Sequence, residues 1–78
     1  MDTLYALEFV RVETTEKGIF AGATLRDWRY EYNFLVEPKG KIYGETALGG
    51  WYELSPETSE IICAKIRSFM RNRRMSFN

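Results

Sequence analysis

The feature that most constrains this chain is a segment in which an apolar residue occupies every second position. In DWRYEYNFLVEPKG, residues 27–40, the alternating positions hold Trp28, Tyr30, Tyr32, Phe34 and Val36. A period of two puts these residues on one face of a β-strand and their mostly polar neighbours on the other. The segment therefore predicts a strand whose aromatic face either packs in the core or forms a platform for a ligand.

Further segments also read as strands, separated by glycine-containing turns. The predicted strands cover about residues 4–13, 18–26, 28–37, 41–47 and 51–54. In the first strand the alternation changes phase after Phe9, which predicts either a β-bulge near residues 8–10 or a strand that is buried in part on both faces. Pro38 and Gly40 predict a turn in which Gly40 takes a positive φ, and Gly49-Gly50 marks a bulge or turn before the last strand.

A single helix is predicted after the last strand, over about residues 56–73. Ser55 suits the N-cap and Pro56 the first helical position, while the acids that follow suit the positive end of the helix dipole. The apolar positions form one narrow stripe of Ile62, Ile66 and Phe69, flanked by Cys63 and Met70.

These elements predict one α+β domain over residues 1–78: an antiparallel meander of four to five strands packed against one C-terminal helix. A sheet with an apolar face must bury that face, and one helix is available to cover it. The helix stripe is therefore expected to lie across the aromatic stripe. A chain of 78 residues buries only about 60–65% of its unfolded surface, so its core is small.

The composition argues against catalysis. The chain has no histidine and one cysteine, which excludes the commonest general base, the usual zinc sites and an intrachain disulfide. The carboxylates of Glu31 and Glu37 are too far apart along their strand to act as a pair, whereas Glu45 could face either across the hairpin. We therefore predict that the chain is not an enzyme and has no catalytic residues, cofactor or metal.

The same composition indicates where the chain works. A secreted domain this small usually needs disulfides, so a single cysteine favours the reducing cytoplasm. No apolar run approaches the roughly 18 residues of a membrane span, and MDTLYALEF has no basic residue before its apolar ones, so no signal peptide is expected. The predicted location is cytoplasmic, in the host cytoplasm if a phage encodes the chain.

Two surfaces are candidates for binding. The first is the sheet face away from the helix, predicted to carry Phe20, Arg26, Arg29, Glu31, Tyr43 and Trp51. Rings mixed with arginine, on a face that no second helix can cover, are typical of interfaces. The second is a basic helix face formed by Arg67, Arg71 and Arg74, which either binds a partner or only complements the helix dipole.

The charge balance is even overall and uneven along the chain. The 11 basic and 11 acidic residues cancel, but residues 1–54 hold six basic and nine acidic ones, a net charge of −3. Residues 55–78 hold five basic and two acidic ones, a net charge of +3. This balance argues against a strongly electrostatic nucleic-acid binder, which needs clustered Lys and Arg.

Under half of the chain, EPKGKIYGETALGGWYELSPETSEIICAKI, has a distinctive order of turns and caps. It runs from an acidic-Pro-x-Gly turn at 37–40, through Gly50 before a short strand, to the helix start Ser55-Pro56-Glu57. This layout resembles the single-stranded-DNA-binding transcriptional coactivator family. The resemblance implies a curved four-stranded sheet followed by a helix, a dimer, and single-stranded DNA as the ligand. The binding surface of that family is basic, whereas the sheet segment here is acidic.

These observations predict a non-enzymatic small binding protein with a protein partner. By size and elimination, we expect an inhibitor or adaptor of the kind that phages and mobile elements encode against host machinery, for example a defence system. The alternative is a single-stranded nucleic-acid-binding module, in which Phe20, Tyr43 and Trp51 stack on bases and Arg26 and Arg29 contact phosphates. A third interpretation is a small structural homodimer that buries the uncovered sheet face. No membrane partner is expected.

Overall fold

The computed structural model describes residues 6–25, 31–46 and 48–73. The described residues form the strands β1 (Glu8–Thr15), β2 (Gly18–Thr24), β3 (Glu31–Val36), β4 (Ile42–Glu45) and β5 (Trp51–Glu53), followed by the helix α1 (Pro56–Asn72). The strands pair antiparallel in the order β1-β2-β3-β4-β5. The predicted α+β fold, a meander packed with one C-terminal helix, is confirmed. Within these ranges, no helix is long and apolar enough to cross a membrane.

β1 departs most from its predicted bounds. It begins at Glu8 rather than near residue 4, and it continues to Thr15 rather than ending at 13. The strand is longer because the turn needs only two residues: Thr15 pairs with Gly18, which takes a φ of 135° that glycine adopts freely. The other element ends lie within about two residues of prediction, the usual uncertainty of such boundaries, and the predicted start of β3 lies outside the described residues.

The phase change in β1 is a β-bulge, as predicted. The pairing with β2 shifts register between Phe9 and Arg11, which leaves Val10 as the extra residue. Leu7 and Val12 are therefore both buried in the core, while the side chain of Val10 is 53% exposed. Without the bulge, Leu7 and Val12 would point to opposite faces of the sheet, so a regular strand could not bury both.

The core lies between one sheet face and α1. From the sheet it takes Leu7, Val12, Ile19, Ala21, Ala23, Phe34, Val36 and Ile42, together with Leu54 after β5. Phe34 also meets Phe9, with ring centroids 5.7 Å apart, and Tyr32 packs against the same core. The core interpretation of the aromatic stripe therefore holds for Tyr32 and Phe34, whereas Trp28 and Tyr30 lie outside the described residues.

The helix stripe was predicted with the wrong centre. Ile62, Ile66 and Met70 are the fully buried residues of α1, whereas Phe69 is only partly buried. Residues four apart lie on one side of a helix, so the buried line runs through Ile66 toward Met70. Phe69 lies at its edge, where the guanidinium of Arg73 is 3.8 Å from the ring centroid.

The predicted turn and cap chemistry is confirmed. Gly40 has a φ of 102° and its N–H donates to the Glu37 carbonyl at 2.9 Å. Ser55 accepts a hydrogen bond from the Thr58 N–H at 3.3 Å, and Pro56 opens the helix. These contacts fix the point at which the chain leaves β5 and crosses to cover the sheet.

Candidate functional site

The sheet has a second face that points away from α1, which we call the open face. Strand alternation and register place on it Glu8, Arg11, Glu13, Phe20, Gly22, Thr24, Glu31, Asn33, Leu35, Tyr43, Glu45, Trp51 and Glu53. α1 packs on the core face, where β1 is its main neighbour in the sheet. Among the described elements, none covers the open face.

Two aromatic rings meet at the centre of the open face. Phe20 and Trp51 lie edge to face, with centroids 6.1 Å apart and an interplanar angle of 69°. Phe20 is on β2 and Trp51 on β5, three strand spacings away in the sheet, so about 14 Å separates their backbones. The rings therefore lean toward each other across β3 and β4. They border a hollow of about 530 Å³ that is also lined by Leu35, and Trp51 remains 43% exposed.

Arg11 is held on one side of this ring pair by two carboxylates. Its Nη2 and Nε donate to Glu31 Oε2 at 3.0 and 3.1 Å, and its Nη1 lies 3.7 Å from Glu13 Oε2. The guanidinium also lies 5.7 Å from the centroid of the Phe20 ring. Gly22 permits this arrangement because a side chain there would occupy the space of the Glu31 carboxylate.

Glu45 is held differently, by an amide and not by an arginine. The Asn33 side-chain amide donates to Glu45 Oε1 at 2.9 Å in a partly buried position. Asn33 Oδ1 is buried and has no donor among the described residues. No cation in the described part of the chain forms an ion pair with Glu45.

The register pairs each described aromatic residue of the open face with a glutamate on the neighbouring strand. The pairs are Phe20 with Glu13, Tyr43 with Glu53, and Trp51 with Glu45. Directly opposed residues in an antiparallel pair have Cβ atoms about 4.5–5.5 Å apart. A cation that contacts one of these rings is therefore also within reach of a carboxylate.

The described open face is acidic. Its strands carry five carboxylates. Its cations are Arg11 on β1 and Lys41, which lies one residue before β4 and two before Tyr43, so the net charge is −3; the turn residues Glu16 and Lys17 cancel. Each cation already has a carboxylate neighbour, since Arg11 binds Glu31 and the Lys41 Nζ lies 4.0 Å from Glu53 Oε1.

The structure brings together most of the residues predicted for this surface. Phe20, Glu31, Tyr43 and Trp51 share the open face, whereas the predicted Arg26 and Arg29 lie outside the described residues. Their role in binding stays a prediction.

Sequence reasoning did not assign Arg11 or Glu13 to this surface, and it considered Glu45 only as a possible member of an acid pair. The available signal for Glu45 was the turn at Gly49, whose N–H donates to the Thr46 carbonyl at 3.0 Å. That turn sets Glu45 opposite Trp51.

The predicted basic helix face is separate from the open face. Arg67 and Arg71 are exposed on α1, on the other side of the sheet, and Arg74 lies outside the described residues. Arg71 is in the last helical turn, where a cation complements the dipole. Arg67 lines a groove with Cys63 and Gly40, between α1 and the β3–β4 turn.

Comparisons with protein-family models, with curated proteins and with solved structures found no significant match to this chain. The sheet has five strands, where the resemblance to the single-stranded-DNA-binding coactivators implied four. What that resemblance implies about function stays a prediction.

Proposed function

We propose that the chain is a protein-binding module whose binding surface is the open face. The observation that carries this proposal is the pair of Phe20 and Trp51, two rings held edge to face on a sheet face that no described element covers. Trp51 keeps 43% of its surface exposed. Tryptophan and tyrosine are enriched among the residues that dominate protein interfaces, and Tyr43 lies on the same face.

The charge of the open face favours a protein over a nucleic acid. Binding to a phosphate backbone depends on Lys and Arg side chains that release counterions. On the described open face, the carboxylates outnumber the cations, and both cations have acidic neighbours. Bases that stacked on Trp51 would bring their phosphates toward Glu45, its direct neighbour on β4.

The same charge disfavours a homodimer through this face. A two-fold symmetric interface places the same patch of each copy against the other. Two acidic faces would then oppose each other, and like charges across an interface are costly. A different protein, with basic residues around an apolar contact, fits the open face without this repulsion.

The inhibitor or adaptor role against host machinery stays our prediction from chain size and from the absence of catalytic side chains in the sequence. A module of this kind acts by occupying a surface of its partner or by linking two partners. Either action requires one exposed face with strong anchors, which the open face offers.

Trp51→Ala tests the proposal, with Tyr52→Ala as its matched control. The two residues are adjacent aromatic residues of β5 that point to opposite sides of the sheet, and they are 43% and 51% exposed. Tagged wild type and both variants are used to capture proteins from a nuclease-treated lysate of the cells in which the chain is naturally produced. We expect a discrete protein bound by wild type and Tyr52→Ala, and at least tenfold less of it on Trp51→Ala, since a central aromatic anchor contributes about 2 kcal/mol or more.

The design separates the competing functions. Equal capture of that protein by Trp51→Ala would contradict the proposal. Nucleic acid recovered from an untreated lysate at low salt alone would favour the stacking alternative, because phosphate contacts weaken steeply with salt. A wild-type dimer that Trp51→Ala converts to a monomer would assign the open face to self-association. Circular dichroism of the variants checks that each remains folded.

A further inference from the structure

We infer that Trp51 and Glu45 form a binding site for a cationic side chain of the partner protein, arginine above all. The inference rests on the proposed function and names the chemistry that the open face recognises. It follows from how the three ring–carboxylate pairs of this face are used within the chain itself.

The first pair, Phe20 with Glu13, already binds an arginine of this chain. The Arg11 guanidinium lies 5.7 Å from the Phe20 ring centroid, and its nitrogens lie 3.7 Å from Glu13 and 3.0 Å from Glu31. A ring attracts a cation through its negative face, and a carboxylate beside it adds charge-assisted hydrogen bonds. One ring–carboxylate pair of the open face therefore already binds a guanidinium.

The second pair, Tyr43 with Glu53, also has a cation from its own chain. Lys41 is two residues before Tyr43 on the same chain segment, and its Nζ lies 4.0 Å from Glu53 Oε1. Within the described chain, no cation forms an ion pair with Glu45 of the third pair; Lys17 lines the hollow beside Trp51 but makes no ion pair with Glu45. Tryptophan is the ring that binds cations best, so among the described residues the pair with the strongest ring is the one left for a partner.

Glu45 is positioned in advance for this role. The Asn33 amide holds its Oε1 at 2.9 Å, so the carboxylate need not be ordered when a ligand arrives, which lowers the entropic cost of binding. Glu45 stands directly opposite Trp51 in the β4–β5 register. One guanidinium can therefore contact the indole ring and the carboxylate together.

The shape of the pair supports arginine over lysine. A guanidinium presents five N–H donors in a planar fork, so it can donate to Glu45 while its flat face stacks on the Trp51 indole, whereas an ammonium is a compact point charge. The net negative charge of the described open face adds attraction for a basic segment.

The test uses a random peptide display library selected against the wild-type protein. Enriched peptides are synthesised, and their dissociation constants are measured by titration calorimetry for wild type, Glu45→Gln and Glu60→Gln. Glu45→Gln removes the charge and keeps an acceptor for Asn33. Glu60→Gln removes an exposed carboxylate of α1, on the other side of the sheet, and is the matched control.

We expect the enriched peptides to share an arginine near an apolar residue. Their binding to Glu45→Gln should be about tenfold weaker, since a charge-assisted bond is lost, and their binding to Glu60→Gln should be unchanged. Replacing the peptide arginine by citrulline, a neutral group of the same shape, should weaken binding to wild type by a similar factor. The same replacement should have little further effect on Glu45→Gln, because the two changes remove one interaction.

Several results would overturn the inference. Enriched peptides that lack arginine and lysine would do so, as would equal effects of citrulline on wild type and on Glu45→Gln, or a selection that enriches no peptide. A wild-type dimer strengthened by Glu45→Gln would assign the site to a second copy. Peptides that lose binding to Trp51→Ala but not to Glu45→Gln would refute this inference alone and leave the proposed function standing.

Discussion

At the scale of single residues, two glycines of β2 have different reasons to lack a side chain. A Cβ at Gly18 would collide with the backbone carbonyl of Val36, and the φ of 135° already disfavours any L side chain. The three atoms nearest to a Cβ at Gly22 would all belong to the side chain of Glu31, which is flexible. Gly18 is therefore needed by the fold, whereas Gly22 serves the ion pair that crosses the open face.

Alanine at the two positions should separate these roles. We expect Gly18→Ala to lower the free energy of unfolding by about 2 kcal/mol or more, because a strained φ alone costs about 1–3 kcal/mol. Gly22→Ala should change it by less than about 1 kcal/mol, since an exposed ion pair contributes about 0–1 kcal/mol and alanine in a strand gains about 0.5–1 kcal/mol. Urea unfolding midpoints at unchanged slope give both values; equal losses would contradict the distinction.

Single residues also show what could be read from the sequence. Local chemistry predicted the positive φ of Gly40 and the cap at Ser55, because each depends on its chain neighbours alone. The contact of Arg11 with Glu31 joins residues 20 positions apart. Such contacts depend on strand register. Alternation predicts which face of the sheet a residue lies on, but not which residue of the neighbouring strand lies opposite it. The members of the candidate site were therefore predicted in part, and their pairings were not.

At the scale of elements, α1 matters because it is the cover of the core face. Its buried line of Ile62, Ile66 and Met70 packs against the sheet residues. The sequence stripe held Phe69 with Met70 at its flank, whereas the structure buries Met70 fully and Phe69 only in part. Periodicity shows which residues share a side of a helix, but it does not fix the rotation of the helix about its axis to within a few tens of degrees. Packing against the sheet therefore decided whether Phe69 or Met70 was buried.

Alanine substitutions in the last turns of α1 test this rotation. Met70→Ala should lower the free energy of unfolding by about 2–4 kcal/mol, as expected for a fully buried methionine, since Met70 is 1% exposed. Phe69→Ala should cost less, although it removes a larger side chain, because the ring is only partly buried and lies against Arg73. Thermal and urea unfolding rank the two variants. A larger loss for Phe69→Ala would restore the rotation predicted from the sequence.

At the scale of the whole molecule, five strands and one helix produce two unlike sheet faces. The sequence predicted this outcome, since one amphipathic helix cannot cover both sides of a sheet. It left open whether the aromatic strand β3 lies at the centre or at an edge of the sheet, and the structure places it at the centre. That position explains why both faces of β3 are used: Phe34 and Val36 are buried in the core, while Asn33 and Leu35 lie on the open face.

Because α1 covers only the core face, removing the helix should expose the core and unfold the chain. A fragment of residues 1–54 would leave the core face of the sheet exposed, including Ile19, Phe34 and Ile42, which are at most 7% exposed in the whole chain. Because a chain of this length has little core to lose, we expect the fragment to be unfolded, with undispersed amide resonances and no cooperative thermal transition. A peptide of residues 55–78 added to it should restore the dispersed spectrum, because Ile62, Ile66 and Met70 would again seal that face. A fragment that folds alone would contradict this expectation. It would show that the sheet is stable with both faces exposed, so that the lack of a covering helix would no longer set the open face apart from the core face.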